Sequence, residues 1–464
     1  MLHIYNTLSR KKEQFKPIDK YNIRLYVCGM TIYDYCHIGH ARMLLVFDMV
    51  YRYLCLIYGK DSVRYIRNIT DIDDKIIARA NENNETIDDL TERFIDAMHD
   101  DLTALGILPP DDEPRATLHM QQIIAMIQTL IDKKIAYQGS NGDVYYDVSA
   151  FPSYGRLSGK ILDDLRAGAR VEVAEAKDDP LDFVLWKMAK VDEPFWESPW
   201  GNGRPGWHIE CSAMSTHCLG NHFDIHGGGM DLQFPHHENE IAQSEAATGE
   251  QFVNTWMHNG FVRVDNEKMS KSLNNFFTIR DVVKQYEPEV IRYFILTSHY
   301  RSPLNYSDVH LDSARASLTT LYTAMRGITL EDNCDESYLS RFKTIMDDDF
   351  NTSEALSLLH ELSKKLNIAT KNQSDDVLLL ASTLKYLAGI LGLLTQNADD
   401  FLKGKSSTDS TQGYSDAEIE QLINDRVEAK NNKDWSQADT IRTQLQEQGV
   451  ILEDSASGTT WRRE

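Results

Sequence analysis

Residues 23–67 read IRLYVCGMTIYDYCHIGHARMLLVFDMVYRYLCLIYGKDSVRYIR, and this stretch decides the fold. Ile23–Val27 and Val63–Arg67 are short β-type runs, and the apolar segment from Met43 to Tyr58 is typical of a buried helix. A strand, a glycine-containing loop, a helix and a second strand form a βαβ unit, from which parallel sheets are built. Because such sheets bind ligands at the carboxyl ends of their strands, we expect the site near residues 28–40.

Composition is typical of a globular protein in a reducing compartment. The 464 residues are 42% hydrophobic and 26% charged, which predicts about three domains and excludes a largely disordered chain. The net charge of −23 argues against sequence-independent attraction to nucleic acid, so such a partner would need a local docking surface. Six cysteines are too few for a disulfide scaffold, and the sequence has neither a secretory signal nor about 18 consecutive apolar residues. We therefore predict a cytoplasmic protein that does not associate with membranes.

The order of patterns along the chain predicts an α/β protein with a helical C-terminal half. The predicted segments are a Rossmann-like parallel-sheet catalytic domain in two halves (1–110 and 201–309), a connective insertion (111–200), a helical bundle (310–396), a linker (397–414) and a small terminal module (415–464). The bundle is indicated by apolar residues spaced 3-4-3-4-3, namely Val377, Leu380, Leu384, Leu387, Leu391 and Leu394. The terminal module contains two helical patterns and a hairpin pattern through residues 450–461.

Two histidines stand directly ahead of the apolar helix, in His37-Ile38-Gly39-His40. Imidazoles three residues apart lie on one side of a first helical turn, where unpaired N–H groups and the helix dipole favour anions. Gly39 allows a large ligand to approach the backbone closely. The pattern outlines a nucleotide-phosphate site, although two surface histidines at a helix start explain these four residues equally well.

A second candidate phosphate site is Lys268-Met269-Ser270-Lys271-Ser272. Two lysines three residues apart in a polar loop can close over a triphosphate and neutralise the charge of a departing pyrophosphate, whereas solvated surface lysines are the alternative reading. Other nucleotide motifs do not fit. Residues 155–160 have the wrong spacing for a Walker A loop, and residues 227–229 lack the third glycine of a dinucleotide fingerprint.

The two motifs together, in this order, resemble the HIGH and KMSKS pair of class I aminoacyl-tRNA synthetases. Further stretches narrow the resemblance to the cysteinyl-tRNA synthetase family, and they are residues 26–34 (YVCGMTIYD), 68–75 (NITDIDDK), 206–214 (GWHIECSAM) and 234–240 (FPHHENE). The resemblance extends from the N-terminus to residues 458–463 (GTTWRR). It implies a ligase that activates L-cysteine with ATP to cysteinyl-AMP, releases pyrophosphate, and transfers cysteine to the terminal adenosine of tRNA(Cys).

A metal site is the third candidate. His236 and Glu240 are spaced i and i+4, so a helix would carry both on one face, and Cys28 and Cys211 could add sulfur ligands that suit zinc. Spacing alone does not choose this set, because other residues compete for the same role: His37, His208, His217, Cys36 and Cys218. The resemblance to cysteinyl-tRNA synthetases implies that the first four residues hold one zinc ion per chain.

Zinc would explain how cysteine is selected. An apolar pocket separates cysteine from serine or alanine by only about 10- to 200-fold. Zinc bonds a thiolate readily, and free cysteine has a pKa near 8.5, far below that of an alcohol. We therefore expect that no hydrolytic editing domain is needed, in agreement with an insertion of only about 90 residues.

The resemblance also implies residue roles. The catalytic groups would be His37, His40, Lys268 and Lys271, and ATP with Mg²⁺ would further contact Gly39, Gly229 and Asp231. Cysteine would lie against Cys28, Gly29, Thr31, Thr70 and Trp207.

The terminal module would bind the anticodon. It has six Lys or Arg against eleven Asp or Glu residues, so we expect base stacking and hydrogen bonding rather than phosphate attraction. The implied anticodon residues are Trp435, Asp439, Arg442, Asp454 and Trp461.

Two other functions stay open at this point. A cysteine ligase that acts on a small amine would share the catalytic half but lack the anticodon-binding end, whereas residues 310–464 are present here. A catalytically dead tRNA-binding scaffold would require a damaged HIGH or KMSKS motif, and both are intact. We expect the protein to be a monomer.

Overall fold

The chain opens with a β-hairpin and continues into the predicted βαβ unit. Strands β1 (His3–Asn6) and β2 (Lys11–Gln14) pair antiparallel. Strand β3 (Ile23–Val27) pairs in parallel with β4 (Val63–Arg67), and helix α1 (Ile38–Tyr58) connects them. The two strands have the bounds that the sequence predicts, and α1 begins before the apolar run at Met43.

The structure, a computed structural model, describes residues 1–161, 176–191, 193–264, 267–268, 277–404, 414–455 and 458–463. The chain divides into two units. The first unit contains Met1–Leu311 and Ser340–Leu356, and the second contains Asp312–Leu339 and Ser357–Glu464. The predicted start of the helical bundle at residue 310 is adjacent to this division. No sequence pattern predicts that residues 340–356 belong to the first unit.

Two further parallel strands complete the central sheet of the first unit. They are β9 (Phe223–Gly229), which pairs with β3, and β10 (Val253–Asn259), which pairs with β9. The order is therefore β10-β9-β3-β4, and the α/β fold class is confirmed. Helix α1 packs closely on this sheet, because a Cβ atom at Gly227 would lie 2.2 Å from the ring of Phe47. Glycine at this position allows the helix to approach β9.

The predicted insertion contains a helix and a separate antiparallel sheet. It follows α2 (Asp74–Asn83) and α3 (Ile87–Ala104), and it begins with the expected amphipathic helix α4 (Met120–Asp132). Its sheet has the order β5-β6-β7-β8. The strands are β5 (Ala136–Gln138), β6 (Val144–Tyr146), β7 (Phe183–Met188) and β8 (Gly203–Pro205). The last strand lies beyond the predicted boundary at residue 200, because it completes the sheet by pairing with β7.

After the insertion, the first unit returns to the central sheet through α5 (Trp207–Leu219) and α6 (Glu238–Thr248), which flank β9 in the chain. A three-stranded sheet follows, in which β11 (Val262–Val264) pairs antiparallel with β12 (Glu267–Lys268) and parallel with β13 (Leu304–Tyr306). The next described helices are α7 (Ile279–Val282), α8 (Pro288–Leu296), α9 (Asp308–Met325), α10 (Glu336–Met346) and α11 (Thr352–Asn372). Helices α9 and α11 continue into the second unit, and α10 begins in the second unit and continues into the first.

The second unit continues with α12 (Val377–Ile390) and the short α13 (Ala398–Lys403). The apolar spacing predicts a helix that includes Leu394, but α12 ends at Ile390, and Gly392 and Leu394 both have positive φ angles. The predicted linker at 397–414 therefore starts with α13, and its residues 405–413 lie outside the described residues.

The terminal module has the predicted pattern of two helices and a hairpin. Helix α14 (Asp416–Asn431) packs on α15 (Trp435–Glu447), and β14 (Val450–Ser455) pairs antiparallel with β15 (Gly458–Arg463). Its buried core contains Ile419, Ile423, Ile441, Leu445, Val450 and Trp461. Among the described helices of the whole chain, none has the length and apolar character that a membrane crossing requires.

Candidate active site and metal centre

A cavity of about 360 Å³ lies where β3 and β9 end and α1 begins, as expected for a parallel sheet. The residues that line it are Cys28, Gly29, Met30, Thr31, Tyr33, His37, Gly39, His40, Met43, Lys75, Trp207, Gly229, Asp231, Leu232, Asn259, Gly260, Phe261 and Val262. Most residues that the sequence assigns to ATP and to cysteine therefore face one space. The structure brings together two motifs that the sequence places about 170 residues apart, the HIGH turn and Trp207.

The HIGH motif forms the first turn of α1. His37 caps the helix: its Nδ1 accepts from the backbone N–H of His40 at 3.3 Å, and the ring of His40 accepts from the backbone N–H of His37 at 3.4 Å. The two rings are stacked with their centroids 3.6 Å apart. Both imidazoles and Gly39 border the cavity at the positive end of the helix dipole, which is a favourable place for phosphate.

In the loop after β3, position 29 leaves no room for a side chain larger than that of glycine. A Cβ atom at Gly29 would lie 1.7 Å from the carbonyl oxygen of Asn68, and the Gly29 N–H donates to the Asn68 side chain at 2.9 Å. Thr31 borders the cavity. Thr70 is buried, and its backbone pairs with that of Thr31. Thr70 therefore supports the wall and is not among the cavity-lining residues.

Four predicted ligands meet at one buried point beside this cavity. Cys28 follows β3, Cys211 lies in α5, His236 precedes α6, and Glu240 lies in its first turn. The Sγ atom of Cys28 is 3.6 Å from Sγ of Cys211, 3.5 Å from Nε2 of His236 and 3.3 Å from Oε1 of Glu240. Nε2 of His236 is 3.0 Å from Oε1 of Glu240, and no side chain of the four is more than 2% exposed.

These separations fit a four-coordinate metal ion. With zinc–sulfur bonds of about 2.3 Å and zinc–nitrogen or zinc–oxygen bonds of about 2.0–2.2 Å, tetrahedral donors lie roughly 3.3–3.8 Å apart. Three of the four measured separations are in this range, and the His236–Glu240 separation of 3.0 Å is slightly shorter. Two sulfurs, one imidazole and one carboxylate form a donor set that suits zinc and does not suit calcium or magnesium. The buried cluster can therefore hold a metal ion.

The electrostatics of the cluster favour a cation. A hydrogen bond from Cys28 lowers the pKa of the Cys211 thiol to about 6, whereas burial raises the pKa of Cys28. Burial alone would raise the pKa of Glu240, but His226 and His236 outweigh this effect and hold it well below its usual range. A thiolate and a carboxylate thus share a buried site that contains compensating histidines, an arrangement that a divalent ion would stabilise.

Two histidines, His226 and His208, contact ligands of this cluster. The sequence does not predict this supporting role. His226 on β9 lies with Nε2 at 2.8 Å from the second oxygen of Glu240, and Nδ1 of His208 lies 2.9 Å from Nδ1 of His236. Partners of this kind orient metal ligands. His226 also belongs to a second possible ligand set, with Cys28, His237 and Glu240. No local sequence signal indicates this role of His226, because it depends on the tertiary contact with Glu240.

The other predicted ATP residues are only partly described. Gly229 and Asp231 border the cavity on the side of β9, and Asp231 is exposed in a short turn. The backbone of Lys268 belongs to β12, but its side chain, like the whole of Lys271, lies outside the described residues.

Four of the five predicted anticodon residues are exposed, and the fifth, Trp461, is buried. Trp435, Asp439 and Arg442 are exposed on α15 at positions i, i+4 and i+7, and therefore share one face of the helix. Asp454 binds Arg426 through two hydrogen bonds of 2.8 Å.

Trp461 does not fit the expectation of stacking on a base. It is only 1% exposed, it packs in the core of the module, and its Nε1 donates to Glu420 at 2.7 Å. The Trp461 ring is covered by this core and by Lys403 and Arg463, so its base contact stays a prediction that this structure does not support.

Comparisons with known proteins agree along the whole chain. A family model described as tRNA synthetases class I (C) catalytic domain matches residues 14–316, a DALR domain matches 341–395, and a cysteinyl-tRNA ligase anticodon binding domain matches 415–462. Cysteine–tRNA ligases from Methylococcus capsulatus and Thioalkalivibrio sulfidiphilus are each 62% identical, over 100% of this chain and 100% of the relative. A cysteine–tRNA ligase from Acinetobacter baumannii is 60% identical over 99% of this chain and 98% of the relative.

Solved structures resemble the fold at much lower identity. A methionyl-tRNA synthetase from Mycobacterium tuberculosis, in complex with methionyl-adenylate, has a TM-score of 0.55 and 15% identity, covering 82% of this chain and 90% of that one. A LeuRS–tRNA–LeuAMS complex from Agrobacterium radiobacter has a TM-score of 0.57 and 12% identity, covering 84% and 86%. At these identities the likeness concerns the fold.

Proposed function

The chain belongs to the cysteine–tRNA ligase family of class I aminoacyl-tRNA synthetases, and we propose that it activates L-cysteine with ATP and transfers it to tRNA(Cys). The observation that supports this proposal is that one cavity borders both a buried cluster that can hold a metal ion and a helix turn that is suited to phosphate. The cavity is lined by Cys28 and by both His37 and His40. A reaction that joins a thiol-bearing amino acid to a nucleotide requires these two features next to each other.

In the proposed first step, a carboxylate oxygen of cysteine attacks the α-phosphorus of ATP. A bond forms between carboxylate and phosphorus, the bond to the β-phosphate oxygen breaks, and pyrophosphate leaves with the electron pair. Positioning and charge stabilisation dominate such transfers. His37, His40 and the first turn of α1 would hold phosphate oxygens, and Asp231 would hold the ribose. Lys268 and Lys271 are proposed to neutralise the pyrophosphate, and Mg²⁺ would accompany ATP.

The amino-acid end of the cavity is proposed to be selective for sulfur. Cys28, Cys211, His236 and Glu240 would hold one zinc ion, which supplies a preference for a thiolate over the hydroxyl of serine. The residues around it restrict the space. Gly29 leaves no side chain in the path, Thr31 forms one wall, and the Trp207 ring packs with its centroid 4.3 Å from that of His236.

In the second step, a ribose hydroxyl at the 3′ end of tRNA would attack the carbonyl carbon of cysteinyl-AMP and release AMP. The terminal module is proposed to select the tRNA through unpaired anticodon bases. The exposed face of Trp435, Asp439 and Arg442 offers a ring for stacking and two charged groups for hydrogen bonds. Asp454, which is held by its ion pair with Arg426, is proposed to contact the anticodon as well.

We also propose that the protein acts in the cytoplasm as a monomer. All six cysteines are free of disulfide bonds, which fits a reducing compartment. Sedimentation velocity at micromolar concentration tests the monomer, and a species of twice the chain mass of 53.1 kDa would contradict it.

Two assays on the full chain test the function. Cysteine-dependent exchange between ATP and pyrophosphate measures the first step, and charging of tRNA(Cys) measures both steps. We expect both activities with cysteine, and exchange with serine to be weaker by more than the roughly 200-fold that packing alone could give. Exchange without charging would identify a ligase that acts on a small amine, and the absence of both would identify a scaffold without catalysis.

A further inference from the structure

The N-terminal turn of α1 is paired to a segment that lies far away in the sequence. The N–H of Ile38 donates to the carbonyl of Phe277 at 3.1 Å, and the N–H of Ile279 donates to the carbonyl of Cys36 at 2.8 Å. These two bonds form an antiparallel bridge between His37 and Thr278. The position of the His37 imidazole is therefore coupled to the position of residues 277–279.

Arg280 fixes this segment to α3. Its Nε lies 3.0 Å from Oδ1 of Asp101, a buried carboxylate, and its Nη2 donates to the carbonyl of Ala97 at 3.0 Å. Thr278 caps the helix that contains Arg280, because its hydroxyl accepts from the N–H of Asp281 at 3.1 Å. The planar guanidinium thus reaches a carboxylate and a backbone carbonyl on adjacent turns of one helix, which a lysine ammonium cannot reproduce.

The same guanidinium also contacts the chain just before the HIGH turn. Its central carbon lies 5.0 Å from the ring centroid of Tyr35, two residues before His37. The Tyr35 ring in turn meets Phe94 of α3 edge to face at 5.2 Å. Two segments pair at the HIGH turn, namely the one that contains Tyr35 and the one at residues 277–279. Both are therefore held against α3, and Arg280 contacts both of them.

We infer that Arg280 is a positioning residue for adenylate formation, which fixes the HIGH turn by joining α3, Tyr35 and the 277–279 segment. This inference rests on the proposed function. Arg280 is not among the cavity-lining residues, so it acts through the position of His37. A displacement of about 1 Å in a catalytic group can lower the rate by roughly 100-fold, so a rigid attachment at this turn has a measurable consequence.

The ion pair adds a pH dependence to this attachment. Burial raises the pKa of Asp101 to about 6, although Arg280 opposes the rise. The charged groups that face Asp101 are Arg280 on α7, Asp100 on α3 and the Cys36 thiol in the loop before α1. Below about pH 6 the carboxyl is protonated, and the ion pair with Arg280 is lost.

The test compares Arg280→Ala and Arg280→Lys with the wild-type chain in the exchange assay. We expect Arg280→Ala to lower kcat by roughly 10- to 100-fold, with KM for cysteine changed by less than about twofold. Arg280→Lys should be intermediate, because it keeps the charge but loses the planar contact. The ratio of wild-type to Arg280→Ala kcat should fall as the pH decreases through about 6, and Asp101→Asn should behave as Arg280→Ala does.

The matched control is Arg115→Ala, which removes an arginine that pairs with Glu92 on the same helix α3. It should leave kcat unchanged. Wild-type kcat in Arg280→Ala, or a kcat ratio that is independent of pH, would overturn the inference. If Arg280→Ala does not fold, the kcat of Arg280→Lys decides, and a wild-type value there would also overturn it.

A failure of the proposed function is distinguishable from a failure of this inference. Wild-type protein without cysteine-dependent exchange contradicts the function alone. The position of the HIGH turn is then followed directly through the imidazole NMR resonance of His37, assigned with His37→Asn. That resonance should shift in Arg280→Ala and stay in place in Arg115→Ala, and equal spectra for the two variants would overturn the inference.

Discussion

Replacement of Cys211 by serine is the most direct test of the metal site. The side chain is 1% exposed within α5, and its sulfur lies 3.6 Å from that of Cys28. Serine keeps the size and the helix but offers an alcohol in place of a thiol that ionises readily. Since burial restricts access of water to the empty coordination position, we expect the metal to lose a ligand without a good substitute.

The size of the effect follows from the number of ligands. Four-ligand zinc sites have apparent binding free energies of about 10–16 kcal/mol. If the four residues contribute evenly, one ligand accounts for roughly 2.5–4 kcal/mol, which corresponds to about a 10²- to 10³-fold loss of zinc affinity. The remaining ligands, Cys28, His236 and Glu240, should still bind zinc weakly.

Competition with a chromophoric chelator measures this change, and elemental analysis gives the zinc content per chain. Cys218→Ser is the matched control, because Cys218 lies two turns further along the same helix, is half-buried and does not belong to the cluster. It should keep the wild-type affinity. An unchanged zinc affinity in Cys211→Ser, or an equal loss in both variants, would refute the assignment of Cys211 as a ligand.

Three further predictions concern packing and protonation. Trp461→Ala should destabilise the terminal module by about 3–5 kcal/mol in chemical denaturation, whereas Trp435→Ala should change stability by less than about 0.5 kcal/mol and raise KM for tRNA. Gly29→Ala should abolish cysteine-dependent exchange in a folded protein monitored by circular dichroism, because its Cβ would lie 1.7 Å from the Asn68 carbonyl oxygen. Burial raises the pKa of Asp101 to about 6, above the unfolded value of about 3.9, so its stabilising contribution is complete below pH 4 and is lost as the pH rises through 6. Thermal unfolding of Asp101→Asn should therefore show a smaller loss of stability than wild type between pH 4 and pH 8.

Two strands of the central sheet, β3 and β4, are predictable from local sequence because their signals are local. The strand patterns at residues 23–27 and 63–67 match β3 and β4 because short apolar runs between turn residues determine both ends of a strand. The end of α12 could also have been predicted from a local signal. Gly392 interrupts the apolar spacing, and a glycine with positive φ ends the helical region before Leu394 although the leucine pattern continues.

The candidate metal site is different, because its residues come from distant parts of the chain. Only the i, i+4 spacing of His236 and Glu240 is a local signal, and no spacing rule joins Cys28 to Cys211 across 183 residues. The resemblance to a family supplied that pairing, and the parallel sheet explains it, since β3 ends next to α5 and α6. The supporting role of His226 depends on tertiary contact with Glu240, which the residues alone do not encode.

The burial of Trp461 also depends on contacts that local sequence does not reveal. In a two-stranded hairpin, alternate residues face opposite sides, and sequence alone does not say which side is covered. Trp461 pairs with Leu452 across the hairpin and faces α14, where Glu420 accepts its N–H. Trp435, at the start of a helix rather than in a strand, remains 61% exposed.

The loop between β3 and α1 makes recognition and catalysis inseparable in the proposed enzyme. Cys28 at its beginning and His37 at its end belong to one segment of ten residues, and both line the same cavity. The separation between a bound thiol and the phosphates is therefore set by this short segment and by its attachment to α3 through Tyr35 and Arg280. An amino acid with a longer side chain would place its carboxylate away from the α-phosphorus even if it bound the metal, so selection operates on the geometry of attack as well as on sulfur.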